Sequence, residues 1–388
     1  MLSAQPDVVV ALSDIPFTPG SHSQKRITKS LERSASWLAN LLRQLPSRHV
    51  AAAAAPKGGT ASRLLNVFVH MAGGTTPVAR QAFSQSLLEP LFDKEAEAIE
   101  PLNNLDEGVA GYTFDLAPLY KSLSPRPPRA ASKTGIAGET DHFSTPPAPP
   151  VTAQIISLIR ASLGPLPTTK PRIVHSAGSP HEILALIQDI GIDLFDAHWA
   201  QHAADVGVAL DFIFPAPHVV ASDAVAAAPR EIGHNLYDRR YSHDFSSFAD
   251  ALRSCSAQQG DTRPPCPCMA CAPSRPSLPL KHSSVDEALP MHPPAPYTRA
   301  YVHHLLHTHE MSAHTLLTLH NLAVLDAFFA SVRHVLSEQA EAFSHEVARF
   351  EQIYDGKLGV LVEARKEWTE VSLARGKGRL ARERERQQ

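Results

Sequence analysis

Three cysteines in one short segment are the residues whose chemistry is easiest to assign. Cys266, Cys268 and Cys271 lie within six residues, which is too close for an ordinary disulfide framework and typical of a metal-binding or reactive cluster. Crowded thiolates repel one another unless a cation neutralises them, and Zn²⁺ favours a tetrahedron of thiolate and imidazole ligands. The spacing therefore predicts a metal-binding loop that needs one more ligand. Four protein ligands would make a structural site, because no open position would remain for catalysis.

The spacing alone does not choose the fourth ligand, and three unrelated surface cysteines remain the alternative. The nearby candidates are Cys255, His282, His303, His304, His307 and His320. The histidines at 303, 304, 307, 309 and 314 also invite a second metal site, since the first and third are four residues apart. No carboxylates accompany them at matching spacing. A helix face on which several histidines are packed or solvated is therefore the preferred interpretation.

The composition bounds the class of protein. The chain has 388 residues, with 36 Lys and Arg against 39 Asp and Glu and a formal charge of -3. This balance excludes a global basic field for nucleic acid but leaves a local basic patch open. We see neither an apolar run near the ~18 residues of a membrane span nor a secretory signal at the start. We expect a cytoplasmic protein without a transmembrane segment, in a compartment that keeps thiols reduced.

Short apolar strand patterns alternate with helical patterns, which predicts an α/β protein with a parallel sheet. The strand patterns cover residues 8–12, 64–71, 108–114, 172–176, 192–195 and 208–214. The main helical patterns cover residues 25–42, 77 to about 98, 151–163, 180–190 and 297–339. Short buried strands of this kind favour a TIM-type (β/α)8 barrel, which needs eight strands. Because the first pattern already has the composition of a strand buried on both faces, we expect a barrel that lacks its N-terminal strands.

We expect three parts along the chain. Residues 1–254 would form the partial barrel, with disordered insertions rich in proline, alanine or serine near 45–63 and 123–150. Residues 255–340 would form a zinc-binding helical subdomain. Residues 341–388 would form one long charged C-terminal helix with a tail, which would extend from the α/β part.

Three segments in the second half of the chain resemble the tRNA-guanine transglycosylase family. They are the Cys-x-Cys-x-x-Cys cluster ending at Cys271, a Thr-Arg-Ala-Tyr helix start at Thr298, and a His-Asn pair at His320. The resemblance implies one structural zinc ion per chain, bound by Cys266, Cys268, Cys271 and His320. It leaves Cys255 as a free thiol.

The resemblance also implies where the family's reaction would take place. The segments at 171–183 and 191–196 resemble the strands that lead to the family's nucleophile, and they put Asp196 at that position. In catalytic members this carboxylate attacks the ribose anomeric carbon and displaces guanine.

The departures from the family pattern argue against catalysis. No arginine occurs in residues 197–204, where catalytic members contact RNA. Ser13, followed by Asp14, stands in place of the guanine-recognising aspartate, and residues 111–115 replace the pocket loop. We therefore predict no catalytic residue in this chain and an inactive Asp196.

This combination is similar to the non-catalytic accessory members of the family, in which pairs such as Lys25-Arg26, Lys29-Ser30 and Arg33-Ser34 recur after a Leu-Ser-Asp segment. The resemblance implies a heterodimer with a catalytic queuine tRNA-ribosyltransferase subunit, with the zinc region near the interface. It implies tRNA, and not DNA, as the nucleic-acid partner, and exchange of guanine for queuine at the wobble position. It further implies peripheral association with the mitochondrial outer membrane.

Two alternatives stay open. The chain could be an active transglycosylase that uses Asp196, or a zinc-containing RNA-binding module unrelated to base exchange. The second alternative depends on the basic tail, which contains Arg375, Lys377, Arg379, Arg382, Arg384 and Arg386. Because Glu383 and Glu385 interleave with these residues, a solvated charged face is the preferred interpretation of the tail.

Overall fold

A computed structural model of the chain describes residues 6–15, 22–45, 65–123, 149–217, 229–250, 266–272 and 297–375. Cys255, His282, nearly all of the two predicted insertions and the tail after residue 375 lie outside these residues. The chain divides into two compact units. The first is Met1–Phe143 with Pro147–Asp196, and the second is Ala197–Gln388 with Ser144–Pro146.

The first unit contains a parallel sheet, as predicted for an α/β protein. Its described strands are β1 (Val8–Val10), β2 (Asn66–His70), β3 (Gly111–Asp115), β4 (Arg172–His175) and β5 (Leu194–Phe195). They are all parallel and lie side by side in chain order. Its described helices are α1 (Gln24–Arg43), α2 (Pro77–Leu88), α3 (Asp93–Ile99), α4 (Ala117–Leu123), α5 (Pro149–Leu163) and α6 (Pro180–Ile190). Helices α1, α2, α5 and α6 contact one another in that order and form a layer.

One face of this sheet is buried. The register pairs Val9 with Val67 and Val69 with Tyr112, so these four side chains share a face. None of them is more than 7% exposed. Burial of this continuous apolar surface is the main term that stabilises the unit.

The opposite face of the sheet is open at both edge strands. Val8, Val10 and Leu194 are 44%, 42% and 50% exposed. The prediction that residues 8–12 form a strand buried on both faces is therefore wrong, because only Val9 within β1 is buried. The apolar run belongs to a strand at the edge of the described sheet, and the described residues leave one of its faces exposed.

Proline explains where the predicted helix over residues 77–98 divides. Helix α2 ends at Leu88, Glu89 is extended, and α3 begins at Asp93. Pro90 follows Glu89, and a proline disfavours the helical conformation of the residue before it. The structure therefore has two helices where the periodicity alone predicts one.

The second unit combines an antiparallel strand pair with helices. The strands are β6 (Val208–Leu210) and β7 (Gly233–Asn235). The helices are α7 (His198–Asp205), α8 (Arg299–His307), α9 (Met311–Glu338), α10 (Phe343–Ile353) and α11 (Gly359–Arg375). The prediction that residues 208–214 add another strand to the parallel sheet is therefore wrong, because β6 pairs with β7 in the antiparallel sense. The described residues contain five parallel strands and this separate pair, and they do not by themselves form a closed eight-stranded barrel.

The prediction of one long charged helix after residue 340 is also wrong. Helix α10 ends before Tyr354, whose backbone is extended, and α11 begins at Gly359. Phe350, Tyr354 and Leu358 are all fully buried. The rings of Phe350 and Tyr354 contact Phe212, so apolar packing, rather than charge, governs this part of the chain.

Helix α9 is the one helix in the described part of the chain that has the length and apolar composition of a membrane span. Its buried residues include Leu317, His320, Val324 and Phe328, which recur at helical spacing on one face. Length and composition are a weak indication here, since the core helix of a unit of this kind meets the same two conditions.

Candidate functional site

A tight loop and helix α9 bring together the four residues implied by the family resemblance. The Sγ atoms of Cys266, Cys268 and Cys271 and the Nδ1 atom of His320 all lie within 4.8 Å of one another. All four residues are buried. We refer to them as the Cys3His group, and a group with this composition could hold a metal ion.

The distances within the Cys3His group agree with one central ion. His320 Nδ1 lies 3.6 Å from Cys266 Sγ, 3.7 Å from Cys268 Sγ and 3.5 Å from Cys271 Sγ. A tetrahedral Zn²⁺ with its usual bond lengths to sulfur and nitrogen would separate those atoms by about 3.5 Å. The three near-equal distances are therefore compatible with zinc.

The second nitrogen of His320 is fixed by the backbone. His320 Nε2 lies 2.9 Å from the carbonyl oxygen of Leu210 in β6. Since a carbonyl can only accept, Nε2 carries the hydrogen and Nδ1 of the neutral ring presents its lone pair to the thiols. A partner of this kind orients a histidine that ligates a metal.

Asn321, the residue after His320 on α9, is polar although it is fully buried. Its Oδ1 accepts from the Leu210 N–H at 2.9 Å, and its Nδ2 donates to the carbonyl oxygens of Val208 and Ala200 at 2.9 and 3.2 Å. Asn321 therefore satisfies the edge of β6 and holds α9 in the register that points His320 at the cysteines. Sequence reasoning identified the His-Asn pair only as a motif and missed this role.

The thiols compete for protons. Contacts with Cys266 and Cys271 hold the pKa of Cys268 well below its usual range, and the same crowding raises the pKa of Cys271. Three thiolates cannot share this buried volume without a positive charge. A bound cation resolves that conflict because it favours the deprotonated form of every ligand.

Of the other predicted ligand candidates, the described histidines His303, His304 and His307 are not brought to this group. Cys255 and His282 lie outside the described residues. His303 Nδ1 and His307 Nε2 instead donate to the carbonyl oxygens of Leu236 and Tyr237, at 2.9 and 3.0 Å. These contacts dock α8 on the segment after β7 and agree with a packed helix face, although His304 stays exposed.

A second polar cluster in the same unit was missed by the sequence analysis. Asp211, His234 and Asp250 also lie within 4.8 Å of one another. Arg299 Nη2 lies 2.8 Å from Asp250 Oδ2 and 2.9 Å from His234 Nε2, while Asp211 Oδ2 lies 2.9 Å from His234 Nε2. The Arg299 guanidinium already supplies a positive charge at this point and would repel a metal ion. We therefore interpret the cluster as a charge network that anchors the Thr-Arg-Ala-Tyr start of α8. The arginine of that sequence motif is the signal from which the network could have been located.

Asp196 lies at the end of β5, where β2, β3 and β4 also end in polar residues. The residues there are His70, Asp115, His175 and Asp196, which we call the carboxyl edge. The strand register puts these four side chains on the same face of the sheet as Val8 and Leu194. Parallel sheets carry their ligand sites at the carboxyl ends of their strands.

The Asp196 carboxylate is engaged within the chain. Asp196 Oδ2 accepts from the Ser176 N–H at 3.0 Å and lies 3.5 Å from His175 Nδ1. The contact with Asp196 raises the pKa of His175, although burial opposes it and Asp115 adds to it. Ser176 has a φ of 63°, a left-handed conformation that a serine adopts at a cost. The Asp196 contact holds this turn in place.

His70 differs from His175. Burial lowers the pKa of His70 to about 4, and the nearby charges of Arg80 and His175 act in the same direction. Its Nδ1 atom is buried and has no hydrogen-bond partner among the residues that the structure describes. The carboxyl edge therefore combines one neutral and one readily protonated histidine with two carboxylates.

The Ser13–Asp14 segment is held by α1. Asp14 makes a two-pronged contact with Arg26, at 2.7 and 2.8 Å, and Arg33 lies 3.2 Å from the same carboxylate. The Asp14 N–H donates to Ser34 Oγ at 2.9 Å, and Ser30 Oγ donates to the Asp14 carbonyl. The contact with Arg26 is the largest cause that lowers the pKa of Asp14.

This arrangement, which we call the Asp14 clamp, gives a physical reason for the Lys-Arg, Lys-Ser and Arg-Ser pairs of α1. Every pair contributes to the contact with the Ser13–Asp14 segment: Arg26 from the first, Ser30 from the second, and both Arg33 and Ser34 from the third. The carboxylate next to the family's base-recognition position is thereby committed to α1.

Comparison with known proteins agrees with this site. The family model described as Queuine tRNA-ribosyltransferase matches residues 150–354, slightly more than half of the chain. The chain belongs to the queuine tRNA-ribosyltransferase family. The matched range includes Asp196, the Cys3His group and Asn321, so the resemblance to the transglycosylases is confirmed.

Among curated proteins, the chain is similar to several named queuine tRNA-ribosyltransferase accessory subunit 2. It is 27% identical over 354 residues to the protein of Schizosaccharomyces pombe, which covers 91% of this chain and 55% of that protein. It is 27% identical over 360 residues to the protein of Xenopus laevis, with 86% and 64% covered, and 28% identical over 216 residues to that of Danio rerio, with 49% and 42% covered. The chain thus spans about half the length of these family members.

Proposed function

We propose that the chain is a non-catalytic accessory subunit that pairs with a catalytic queuine tRNA-ribosyltransferase subunit, which exchanges guanine for queuine at the tRNA wobble position. The observation that carries the proposal is the engagement of Asp196 by Ser176 and His175. The names of the relatives give independent support.

The carboxyl edge lacks what the family's reaction needs. A nucleophilic carboxylate requires a leaving base held in a pocket and a second group that manages protons. Ser13 cannot supply the base-recognising carboxylate, and Asp14 is committed to Arg26. No arginine follows Asp196 on α7 to hold phosphate, a role in which the guanidinium fork is hard to replace.

An exposed aromatic pair supports the heterodimer. The rings of Tyr297 and Tyr301 are stacked, with centroids 5.5 Å apart, and the residues are 38% and 45% exposed. The Tyr297 N–H donates to the carbonyl of Ala270 in the cysteine loop, next to Met269, which is 58% exposed. Exposed tyrosine and methionine side chains are typical of interface cores. We place the catalytic subunit on this surface.

We propose one structural zinc ion per chain, held by the Cys3His group. Four protein ligands fill a tetrahedron, so the ion would supply no open position and would serve to cross-link the cysteine loop to α9. The proposal is supported by the near-equal distances from His320 Nδ1 to the three sulfur atoms. Thiolate ligands also fit a cytoplasmic location, where thiols stay reduced.

We propose further that the sheet of the first unit is part of a (β/α)8 barrel. Parallel sheets are normally covered on both faces. The exposure of Val8, Val10 and Leu194 on one face supports a barrel interior at that face. The three-part division into 1–254, 255–340 and 341–388 and the association with the mitochondrial outer membrane remain predictions.

Reconstitution tests the proposal. The chain is co-expressed with a catalytic queuine tRNA-ribosyltransferase, and complex formation and incorporation of labelled guanine or queuine into tRNA are measured. We expect a heterodimer that is active, and no incorporation by this chain alone. Activity of the chain alone would favour an independent transglycosylase. Binding of RNA without any association with the catalytic subunit would favour a separate RNA-binding module.

A further inference from the structure

Helix α1 exposes a line of positively charged side chains, of which only one also contacts Asp14. Lys25, Lys29 and Arg33 follow one another at intervals of four residues. The two lysines are exposed, and the Arg33 side chain is 56% exposed although it touches Asp14. Residues four apart lie on neighbouring turns of one helix face, so the three charges form a continuous stripe.

The charge of this helix contrasts with that of the chain. Helix α1 contains five lysines and arginines and a single acidic residue, Glu32. The whole chain carries a formal charge of -3. Asp14 compensates Arg26, so its charge does little to offset Lys25 and Lys29. The positive field on α1 is therefore local and is not a property of the overall composition.

An exposed tryptophan continues the same line. Trp37 lies four residues after Arg33 and is 41% exposed. Tryptophan is among the more costly side chains to leave in water, and its flat ring stacks well on nucleobases. Because the chain contains only three tryptophans, its position at the end of a basic stripe is an observation independent of the charges.

We infer that the stripe of Lys25, Lys29, Arg33 and Trp37 is an RNA contact surface, at which the cations bind backbone phosphates and the indole stacks on an unpaired base. The inference rests on the proposed function, because the RNA would be the tRNA substrate of the complex. From Lys25 to Trp37 the helix rises about 18 Å, at about 1.5 Å per residue. At a rise of roughly 3.4 Å per nucleotide, that length can follow about five nucleotides of one strand.

The side-chain composition favours RNA over an acidic protein face. Lysine is depleted at protein–protein interfaces, whereas arginine and aromatic residues are enriched there. Two lysines in the same line as an arginine and a tryptophan match the combination of phosphate contacts and stacking that single-stranded RNA requires.

The experiment measures binding of the unmodified tRNA substrate to the full chain, alone and with the catalytic subunit, by fluorescence anisotropy across a range of salt concentrations. In the triple variant Lys25→Gln, Lys29→Gln, Arg33→Gln, we expect weaker binding and a slope of log affinity against log salt that is shallower by about two. Trp37→Leu should weaken binding roughly five- to hundredfold and remove most of the tryptophan quenching by tRNA.

Matched variants keep the test decisive. The triple variant Arg333→Gln, Lys357→Gln, Lys366→Gln removes three exposed positive charges from the second unit and should leave the affinity and the salt slope unchanged. The double variant Lys25→Gln, Lys29→Gln leaves the Arg33–Asp14 contact intact, so a loss of binding there cannot be attributed to a disturbed Asp14 clamp.

Three outcomes would overturn the inference: no tRNA binding by the wild-type chain or complex, equal losses in the two triple variants, or loss of catalytic-subunit binding with tRNA binding retained. The last outcome would make the stripe a protein contact. Because complex formation is measured separately by sedimentation, failure of the proposed function would be recognised by the absence of a complex with the wild-type chain.

Discussion

The Cys3His group and the carboxyl edge differ in where their reactive side chains find a partner. In the Cys3His group, four side chains point at a common centre, and the backbone of β6 fixes the one nitrogen that faces away from it. At the carboxyl edge, the Asp196 oxygen is already in contact with Ser176 and His175. The first region needs a partner from outside the chain, whereas the second satisfies its carboxylate internally. On the proposed function, this chain keeps the family's metal site while the residues at the reaction site take a structural role.

The largest expected effect is loss of the Cys3His group. His320→Ala leaves three buried thiols with no fourth ligand, so bound zinc should fall from about one per chain to near zero. Because metal binding and folding are coupled, we expect the free energy of unfolding to fall by about 5 kcal/mol or more. Metal analysis by mass spectrometry and thermal unfolding with and without a chelator measure both effects.

Cys255→Ser is the matched control for that variant, since it removes a cysteine that the resemblance leaves free. It should keep full zinc occupancy and the wild-type Tm. Full zinc occupancy in His320→Ala would show that another residue completes the site.

The next effect concerns the Asp14 clamp, in which the carboxylate beside the family's base-recognition position binds Arg26 on α1. The folded pKa of Asp14 lies below its ordinary value. Its contacts therefore stabilise the protein above the ordinary carboxyl pKa, and that stabilisation is lost as the pH falls through the lowered value. Arg26→Gln should lower Tm by a few degrees at neutral pH, and the difference from the wild type should disappear in strong acid.

Arg43→Gln is the matched control, because Arg43 lies on the same helix and contacts Asn40 rather than a carboxylate. Its Tm should follow that of the wild type at every pH. A difference for Arg26→Gln that persists unchanged below the pKa of Asp14 would argue that the arginine acts through packing instead of charge.

The Asp14 clamp also illustrates what the sequence could and could not predict. Helix α6 begins and ends where the pattern predicts, because Ser179 caps its first turn and Gly191, with a φ of 71°, ends it. These are local signals. The partners of Asp14 lie 12 to 20 residues away on α1, and nothing in the local spacing of that helix identifies which residue they bind.

The same distinction holds for the rest of the molecule. The grouping of Cys266, Cys268, Cys271 and His320 could be predicted because a family resemblance supplied His320, a choice that spacing left open. The antiparallel pairing of β6 with β7 could not, because it joins two short strands across a long connection. The end of α10 at Ile353 accompanies burial of the next side chain, Tyr354, which a charge pattern does not reveal.

A smaller effect is expected for His175. Its folded pKa is raised by Asp196, so the pair stabilises the protein below the ordinary histidine pKa near 6.5 and that stabilisation is lost as the pH rises through the raised value. The two side chains are 36% and 32% exposed, and solvent and salt screen such a pair. Asp196→Asn should return the pKa of His175 towards its ordinary value with little change in Tm.

Histidine-selective NMR titration measures this pKa, and the His175 signal among the 21 histidines is assigned by its loss in His175→Gln. Asp193→Asn is the control. Asp193 lies three residues before Asp196, but its carboxylate accepts from the Arg172 N–H and does not face His175. An unchanged pKa of His175 in Asp196→Asn would show that the pair does not form.

The smallest expected effect is that of Asp196→Asn on base exchange, and it separates the two regions most directly. Asparagine has nearly the shape of aspartate and can still accept from the Ser176 N–H, but it cannot attack a ribose carbon. If Asp196 only holds the Ser176 turn, incorporation of labelled guanine into tRNA by the reconstituted heterodimer should stay within a few fold of the wild-type rate. The corresponding aspartate-to-asparagine change in the catalytic subunit should abolish incorporation, because that carboxylate would carry the covalent step. Incorporation by this chain alone, stopped by Asp196→Asn, would instead make Asp196 a working nucleophile. The carboxyl edge would then be a reaction site, and its contrast with the Cys3His group would no longer hold.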